Sequence, residues 1–251
     1  MGKKISDIEK EFEEAGNEQL LELFALYADD SRAGVSGLIK KYKKKQELLE
    51  KEHIRLEEMR KYEHRYENLG YICGIDEAGR GPLAGPVVAG AVILPGDCEI
   101  LWLNDSKQLS EKKREALYEE IMEKAIAAEV GIVGPERIDE INILQATYEA
   151  MRQAIGKLKV RPQILLNDAV TIPDMEIPQE PIIKGDAKSL SIAAASVIAK
   201  VTRDRIMKEY DRMMPEYGFA GHKGYGSSAH IRAIREYGPS PIHRRTFLKN
   251  L

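Results

Sequence analysis

Acidic residues follow apolar runs at three points of this sequence. Asp76 and Glu77 come directly after residues 71–75, Asp168 ends residues 163–168, and Asp186 closely follows residues 181–184. Carboxylates at the end of a buried strand are costly unless a cation compensates for them, and hard divalent cations prefer carboxylate oxygen. Two such ions about 3.5–4 Å apart suit an in-line attack on phosphorus. Together the acids indicate a metal site for phosphodiester chemistry, although Asp168 or Asp186 alone would be interpreted as a helix cap or turn residue.

A glycine-rich turn, Gly79-Arg80-Gly81, lies just beyond the first acidic pair. Because glycine has no Cβ, its amides can closely approach the backbone of a ligand. Next to Asp76 and Glu77, the turn suggests a place where a metal is held against a phosphodiester. The alternative interpretation is a hairpin with a solvated strand end.

From Tyr71 onward, the acids are embedded in an alternation of strands and helices. The sequence predicts strands at residues 71–75, 87–94, 129–133, 163–166 and 181–184, and helices at residues 111–127, 142–157, 189–214 and 229–237. Neighbouring strands of an α/β sheet end at one crevice, where such folds bind ligands. The pattern therefore predicts an α/β domain over residues 71–251 with its acids at one edge of the sheet.

Residues 1–70 differ in kind, since they are rich in Glu and Lys and contain neither proline nor a strand-like run. One helix is predicted from Asn17 and a longer one from Ser36 to about Tyr66, which together would form an antiparallel hairpin. The segment has 14 Lys and Arg against 16 Asp and Glu, and residues 40–45 are its most basic stretch. That stretch either contacts phosphates or is a solvated helix face.

Composition limits the class of protein. No apolar run approaches the ~18 residues of a membrane span, and the N-terminus has no apolar signal-peptide core. Cys73 and Cys98 lack metal-ligand spacing, so a cytoplasmic location is expected. The net charge of −3 argues neither for nor against nucleic-acid binding. Residues 200–251, however, carry 11 Lys and Arg against 5 Asp and Glu. These bases, interleaved with aromatic residues, predict a phosphate-binding surface, the alternative being solubilising charge on exposed helices.

The motifs between Tyr71 and Phe247 resemble those of bacterial type 2 ribonuclease H, the ribonuclease HII family. In the order of the family, they are residues 74–82, Asp105-Ser106-Lys107, Leu166-Asn167-Asp168, residues 184–186, residues 191–204, Lys223-Gly224-Tyr225-Gly226 and residues 238–245. Several long motifs in one order make the resemblance specific. It implies an RNase H-like fold, with a mixed central sheet flanked by helices and a helical C-terminal portion.

The resemblance implies metal and phosphate ligands. The metal-binding acids of the family correspond to Asp76, Glu77, Asp168 and Asp186, and the metal is Mg²⁺ or Mn²⁺. All-carboxylate sites are compatible with either ion. Lys107 and Lys200 match motif lysines that are expected near phosphates.

The resemblance also implies how RNA is distinguished from DNA. The Gly-Arg-Gly loop of the family corresponds to Gly79, Arg80 and Gly81, whose backbone would contact the ribose 2′-hydroxyl. The junction-sensing tyrosine corresponds to Tyr225, which would pack on the deoxyribose beyond the ribonucleotide. A purely structural Tyr225 would instead be buried under its neighbouring glycines.

The implied reaction is hydrolysis of the phosphodiester 5′ to a ribonucleotide, which leaves a 3′-hydroxyl and a 5′-phosphate. The implied partners are RNA–DNA hybrids and duplex DNA containing single ribonucleotides, with no membrane, and a monomer is expected. The family core needs no N-terminal extension, so residues 1–70 are expected to lie outside its signature as an accessory substrate-binding element. Deleting them should weaken affinity for hybrids and spare the chemistry.

Three alternatives stay open. A type 3 ribonuclease H would act on long hybrids only, but its N-terminal domain mixes strands and helices. A hybrid-binding protein that does not cleave would be expected to lack one of the four acids. A DNA-strand transferase on the same fold would not be expected to carry the turn at residues 79–81.

Overall fold

The computed structural model describes residues 3–249, and a mixed five-stranded sheet forms the centre of its larger part. The strands are β1 (Ile72–Ala78), β2 (Val87–Ile93), β3 (Ala127–Val133), β4 (Ile164–Asp168) and β5 (Gln179–Ile182). Their order across the sheet is β3-β2-β1-β4-β5. β2 pairs antiparallel with both β1 and β3, whereas β4 pairs parallel with both β1 and β5. The predicted α/β class with a mixed central sheet is confirmed.

Helices flank this sheet and make up the N-terminal region. They are α1 (Ile5–Glu14), α2 (Asn17–Leu26), α3 (Ala33–Met59), α4 (Lys61–Tyr66), α5 (Glu111–Lys124), α6 (Pro135–Lys157), α7 (Leu190–Met213), α8 (Phe219–His222) and α9 (Ser228–Tyr237). Ser110 and Ser189 cap α5 and α7 by accepting bonds from Lys113 N and Ile192 N. The prediction for α5 was three residues too long, because Ala127 already belongs to β3. Within residues 3–249, no helix combines the length and apolar character needed to cross a bilayer.

Helix α7 packs directly on one face of the sheet. A Cβ on Gly90 of β2 would lie only 2.4 Å from the carbonyl oxygen of Ala195. Glycine in the strand and small residues in the helix therefore let the two backbones come together, the structural role expected for the run at residues 191–196. Since Asp76 and Gly74 alternate with Ile75 on β1, both face α7.

Helix α6 covers the opposite face through a core that includes Ile75, Ala89, Ala146 and Ala150. Its axis is interrupted at Asn142, which has φ 67° and ψ 164°. The Asn142 carboxamide oxygen accepts from Leu144 N at 3.0 Å and Gln145 N at 3.2 Å. The predicted helix start at Asn142 is therefore confirmed, and the helical residues 135–141 before it were not predicted.

Residues up to Glu57 and residues from Glu58 onward form two compact units. In the first unit, α1, α2 and the N-terminal half of α3 share a core of Ile8, Phe12, Leu20, Phe24, Val35, Leu38 and Tyr42. The rings of Phe12 and Tyr42 stack at 5.1 Å. The prediction of a two-helix hairpin was wrong here, because α1 supplies Ile8 and Phe12 to that core. Sequence did not reveal α1, whose N-cap, Lys4, makes no side-chain cap bond.

Candidate active site

The sheet brings the acidic positions of the sequence to one edge. In the parallel pair of β1 and β4, Ile75 is aligned with Asn167, so Asp76 and Asp168 are the next residues along adjacent strands. Asp186 lies in the short turn after β5, where Lys184 adopts a left-handed conformation with φ 58°. The amide of Gly185 donates to Asp168 Oδ1 at 2.7 Å and ties this turn to the end of β4.

Asp76 is the most deeply buried of these acids, with 2 % of its surface exposed. Its Oδ1 accepts from the Glu77 amide at 2.7 Å, whereas Oδ2 is buried and, among the described residues, has no hydrogen-bond partner. Burial, followed by the charge of Glu77, raises the pKa of Asp76 well above its ordinary value, and the Ser196 hydroxyl opposes that rise only partly. A buried carboxylate with an unsatisfied oxygen among like charges is a site that a cation would stabilise.

The pKa values of Glu77 and Asp186 are also raised. Burial raises the pKa of both carboxyls, and Asp168 contributes to each rise through its charge. Arg80 partly offsets the effect at Glu77, with 3.4 Å between Arg80 Nη1 and Glu77 Oε1. Lys107 does the same for Asp186, with 3.6 Å between Lys107 Nζ and Asp186 Oδ2.

Lys107 is thus a cation within the acidic cluster, and its Nζ also lies 3.7 Å from Asp105 Oδ1. Burial lowers the pKa of its ammonium, but the charges of Asp105 and Asp76, followed by Asp186, outweigh burial and raise that pKa. Its side chain nevertheless keeps 71 % of its surface exposed. Such an ammonium can contact an incoming anion without leaving a buried position.

The donor chemistry of the cluster fits a hard divalent cation. Its candidate ligands are carboxylate oxygens, and the unpartnered Oδ2 of Asp76 is a coordination position that protein groups leave unused. As they stand, however, no three Asp, Glu, His or Cys side chains of residues 3–249 converge closely enough to enclose an ion. The side chains would therefore have to adjust on binding.

Two buried arginines, Arg203 and Arg244, hold the glycine-rich turn beside these acids. Arg244 donates through Nη2 to Gly79 O at 2.6 Å, through Nη1 to Arg80 O at 2.8 Å and through Nε to Gly85 O at 3.0 Å. Arg203 donates through Nε to Pro86 O at 2.9 Å. Neither had an assigned role in the sequence analysis, although both lie in motifs that were identified there.

Tyr225 lies against the same turn. A Cβ on Gly81 would be 3.8 Å from Tyr225 Cε1, and the Leu83 amide donates to Gly224 O at 2.8 Å. The Tyr225 side chain is not buried under its glycines, because 49 % of the residue is exposed. The structure therefore places an accessible aromatic ring beside Gly79-Arg80-Gly81.

Comparison with known proteins identifies the family. The family model described as "Ribonuclease HII" matches residues 73–250, and the model described as "Ribonuclease HII N-terminal domain" matches residues 4–67. The chain belongs to the ribonuclease HII family. The expectation that residues 1–70 lie outside the family signature was wrong, because a ribonuclease HII N-terminal domain model matches residues 4–67 of this chain.

Individual ribonuclease HII proteins are similar over almost the whole chain. The protein from Lachnoclostridium phytofermentans is 63% identical over 251 residues, covering 100% of this chain and 99% of its own. The one from Clostridioides difficile is 53% identical, covering 99% and 98%. The crystal structure of ribonuclease H2 from Pyrococcus horikoshii superimposes with a TM-score of 0.59 and 32% identity, over 70% of this chain and 93% of that chain.

Membership of the ribonuclease HII family makes this chain a divalent-metal-dependent endonuclease of the type 2 ribonuclease H class that acts on RNA-containing nucleic acid. The type 3 alternative loses its support, and so does a binding protein without catalytic activity. The N-terminal region also favours type 2 over type 3, because residues 3–69 contain no strand in the structure, whereas a type 3 N-terminal domain was expected to mix strands and helices.

The remaining predicted site residue of this ribonuclease HII chain, Lys200, has an internal partner. Its Nζ donates to Asp204 Oδ1 at 2.7 Å, and Arg114 approaches the other oxygen of Asp204 at 3.7 Å. Burial lowers the pKa of Lys200. Lys200 therefore takes part in a half-buried ion-pair network on α7, and it is less available to a ligand than Lys107.

The basic surface predicted for residues 200–251 is also reduced by internal pairing. Arg205 pairs with Glu115 at 2.6 Å, and Lys208 pairs with Glu111 at 2.6 Å. Exposed Arg232 and Arg235 on α9 remain without an ion-pair partner among the described residues. Exposed Arg245 and Lys249 have no such partner either, so the accessible positive charge of this region lies on α9 and near the C-terminal end of the described chain.

Proposed function

We propose that the enzyme hydrolyses the phosphodiester 5′ to a ribonucleotide, both in RNA–DNA hybrids and at single ribonucleotides embedded in duplex DNA. The products would be a 3′-hydroxyl and a 5′-phosphate. The observation that carries this proposal is the exposed Tyr225 ring beside Gly81, in a turn that directly follows Asp76 and Glu77. A sugar-sensing surface is thereby joined to the acidic cluster.

The four acids Asp76, Glu77, Asp168 and Asp186 would hold the metal, for which Mg²⁺ and Mn²⁺ are both suitable. When bound, two such ions would supply an activated water and stabilise the leaving 3′ oxygen. The raised pKa of Asp76 supports this role, because a cation would compensate for the burial and the repulsion that now favour protonation.

Recognition of the ribonucleotide would fall to the turn at residues 79–81 and to Tyr225. The carbonyls of Gly79 and Arg80 are fixed by Arg244, so the turn backbone is held in place before substrate arrives. A backbone contact to the 2′-hydroxyl would select RNA on one side of the cut, and the Tyr225 ring would accept a deoxyribose on the other. Lys107 and, with local rearrangement, Lys200 would contact phosphates.

The N-terminal unit is proposed to add substrate affinity. Its residues Lys40, Lys43 and Lys44 are exposed on α3. A full-length variant with all three changed to Gln should bind hybrids more weakly and show a salt slope smaller by up to about 3, since each phosphate contact contributes roughly 0.9. An unchanged slope would remove this role.

We further propose that the protein is cytoplasmic and monomeric. A reducing compartment is consistent with Cys73 and Cys98, which are both buried and unpaired.

The test is strand cleavage of a DNA duplex that carries one ribonucleotide, with Mg²⁺ or Mn²⁺, comparing the wild type with Asp76→Asn. A nick 5′ to the ribonucleotide that Asp76→Asn loses is the expected result. Cleavage of long hybrids alone would restrict the substrate class, and a nick retained in Asp76→Asn would overturn the metal site. Binding without cleavage in either metal would refute the catalytic proposal.

A further inference from the structure

Three histidines with no part in the proposed chemistry lie at or behind the backbone of Gly224 and Tyr225. His230 Nδ1 lies 2.9 Å from Tyr225 O, and His222 Nδ1 accepts from Gly224 N at 3.1 Å. His243 does not touch the turn itself but lies behind His230, with 3.0 Å between the two Nε2 atoms. His222, His230 and His243 are called the histidine cluster below.

Backbone groups fix the tautomers of this cluster. The Ser240 amide donates to His243 Nδ1 at 2.9 Å, with the Ser240 hydroxyl 2.7 Å from the same nitrogen, so the His243 proton must be on Nε2. That proton is donated to His230 Nε2, and the proton of His230 must then be on Nδ1. There it is donated to Tyr225 O, a carbonyl that can only accept. One directional chain therefore runs from Ser240 to Tyr225.

The chain requires both rings to be neutral. A second proton on His230 would set two N–H groups against each other at the Nε2 pair, and a second proton on His243 would face the Ser240 amide across its Nδ1. The surroundings meet this requirement. His230 is fully buried, His243 has 2 % of its surface exposed, and Phe219 lies edge-on to His230 at 5.5 Å. Burial lowers the pKa of His230, and burial together with His230 lowers the pKa of His243 to about 4.

His222 supports the other side of the turn. Its ring stacks on His230 with 4.3 Å between centroids and an interplanar angle of 16°. Since its Nδ1 accepts from Gly224, its proton is on Nε2 and is donated to Tyr217 O at 2.9 Å. The Gly224–Tyr225 backbone is thus held from both sides by imidazoles that also hold each other.

We propose that His230, oriented by His243, is a positioning residue for substrate discrimination: it fixes the Tyr225 carbonyl and thereby the place of the Tyr225 ring beside Gly81. The inference rests on the proposed function, in which that ring senses the sugar. His230 touches neither the acids nor any predicted phosphate ligand, so its effect on catalysis passes through Tyr225.

The turn itself does not depend on His230. The Ser227 amide also donates to Tyr225 O at 2.8 Å, and Tyr225 N donates to His222 O at 2.9 Å. Loss of the His230 bond should therefore leave the turn formed while its aromatic ring becomes less constrained. A displacement of about 1 Å is enough to reduce catalysis severely when geometry is demanding.

The test is a double-mutant cycle of His230→Leu and Tyr225→Ala on a duplex with a single ribonucleotide. His230→Leu alone should lower kcat/KM about tenfold, whereas in the Tyr225→Ala background it should cost less than about twofold, because the two residues act as one unit. His230→Asn, whose amide nitrogen can replace Nδ1 as donor, should recover most of the loss. Additive losses, or no recovery with Asn, would overturn the proposal.

A second measurement is independent of activity. Long-range ¹H–¹⁵N spectra of the wild type near neutral pH should show His230 protonated at Nδ1 and His243 at Nε2. The opposite tautomers, or an imidazolium at either ring, would overturn the chain of hydrogen bonds. If the wild type fails to cut the single-ribonucleotide duplex, the proposed function is refuted. The spectra would still show whether the chain of hydrogen bonds from Ser240 to Tyr225 exists.

Discussion

Replacing Gly79 by alanine should disable the turn through steric conflict with Arg203. A Cβ at this position would lie 2.1 Å from Arg203 Nε and 2.7 Å from Pro86 O. Arg203 cannot simply move aside, because it is 1% exposed and donates to the carbonyls of Pro86, Ala84 and Lys223. The variant must therefore distort the turn or release those bonds.

The loss of folding free energy in Gly79→Ala has two contributions. The φ of +96° at Gly79 costs alanine about 1–2 kcal/mol. Losing one or two hydrogen bonds from a charged donor adds about 1.5–3 kcal/mol each. A total near 4 kcal/mol lowers Tm by roughly 8–16 °C in a domain of this size. A displaced turn should also lower kcat/KM on the single-ribonucleotide duplex about 100-fold.

Two further glycines provide matched controls. Gly218 has φ +69° but its nearest atom would be 3.9 Å away, so Gly218→Ala isolates the backbone strain of about 1–2 kcal/mol. Gly96 has no atom within 4 Å, so Gly96→Ala should be neutral to within about 0.5 kcal/mol. Urea unfolding of all three variants is the assay. If Gly79→Ala lost no more stability than Gly218→Ala, the steric account of the turn would be refuted.

Three other perturbations test the site and the fold. Asp76→Asn should be inactive, and in EDTA it should be more stable than the wild type. Because the folded state raises the pKa of Asp76, the wild type should lose stability as pH rises above about 4. Parallel curves of Tm against pH for the two proteins from pH 4 to 8 would contradict this. Lys107→Ala should raise KM and reduce the salt slope by about 0.9, and an unchanged slope would exclude a phosphate contact. Asn142→Ala should lose about 2 kcal/mol in urea unfolding, from its cap and its φ of 67°, with unchanged kcat as the control.

Local signals in the sequence were sufficient for most of the catalytic domain. Ser110, Asn142 and Ser189 marked helix starts because capping depends on the nearest few residues. The helix α1 was missed because its N-terminus has no side-chain cap. The pairing of Lys200 with Asp204 was also visible as an i,i+4 spacing on a helix, and that spacing favours an ion pair over a free phosphate ligand.

The sequence by itself determined the five strands of the sheet, the main helices of the catalytic domain and the acids at the strand ends, because each depends on nearby residue types. Only the tertiary structure decided that Arg203 and Arg244 are buried, since arginine usually lies at the surface. Arg244 reaches Gly79 O across 165 positions of the chain, and His230 reaches the carbonyl of Tyr225. The acceptors are backbone carbonyls, which every residue possesses, so no residue type in the sequence marks them and only the folded chain selects which side chain they bind.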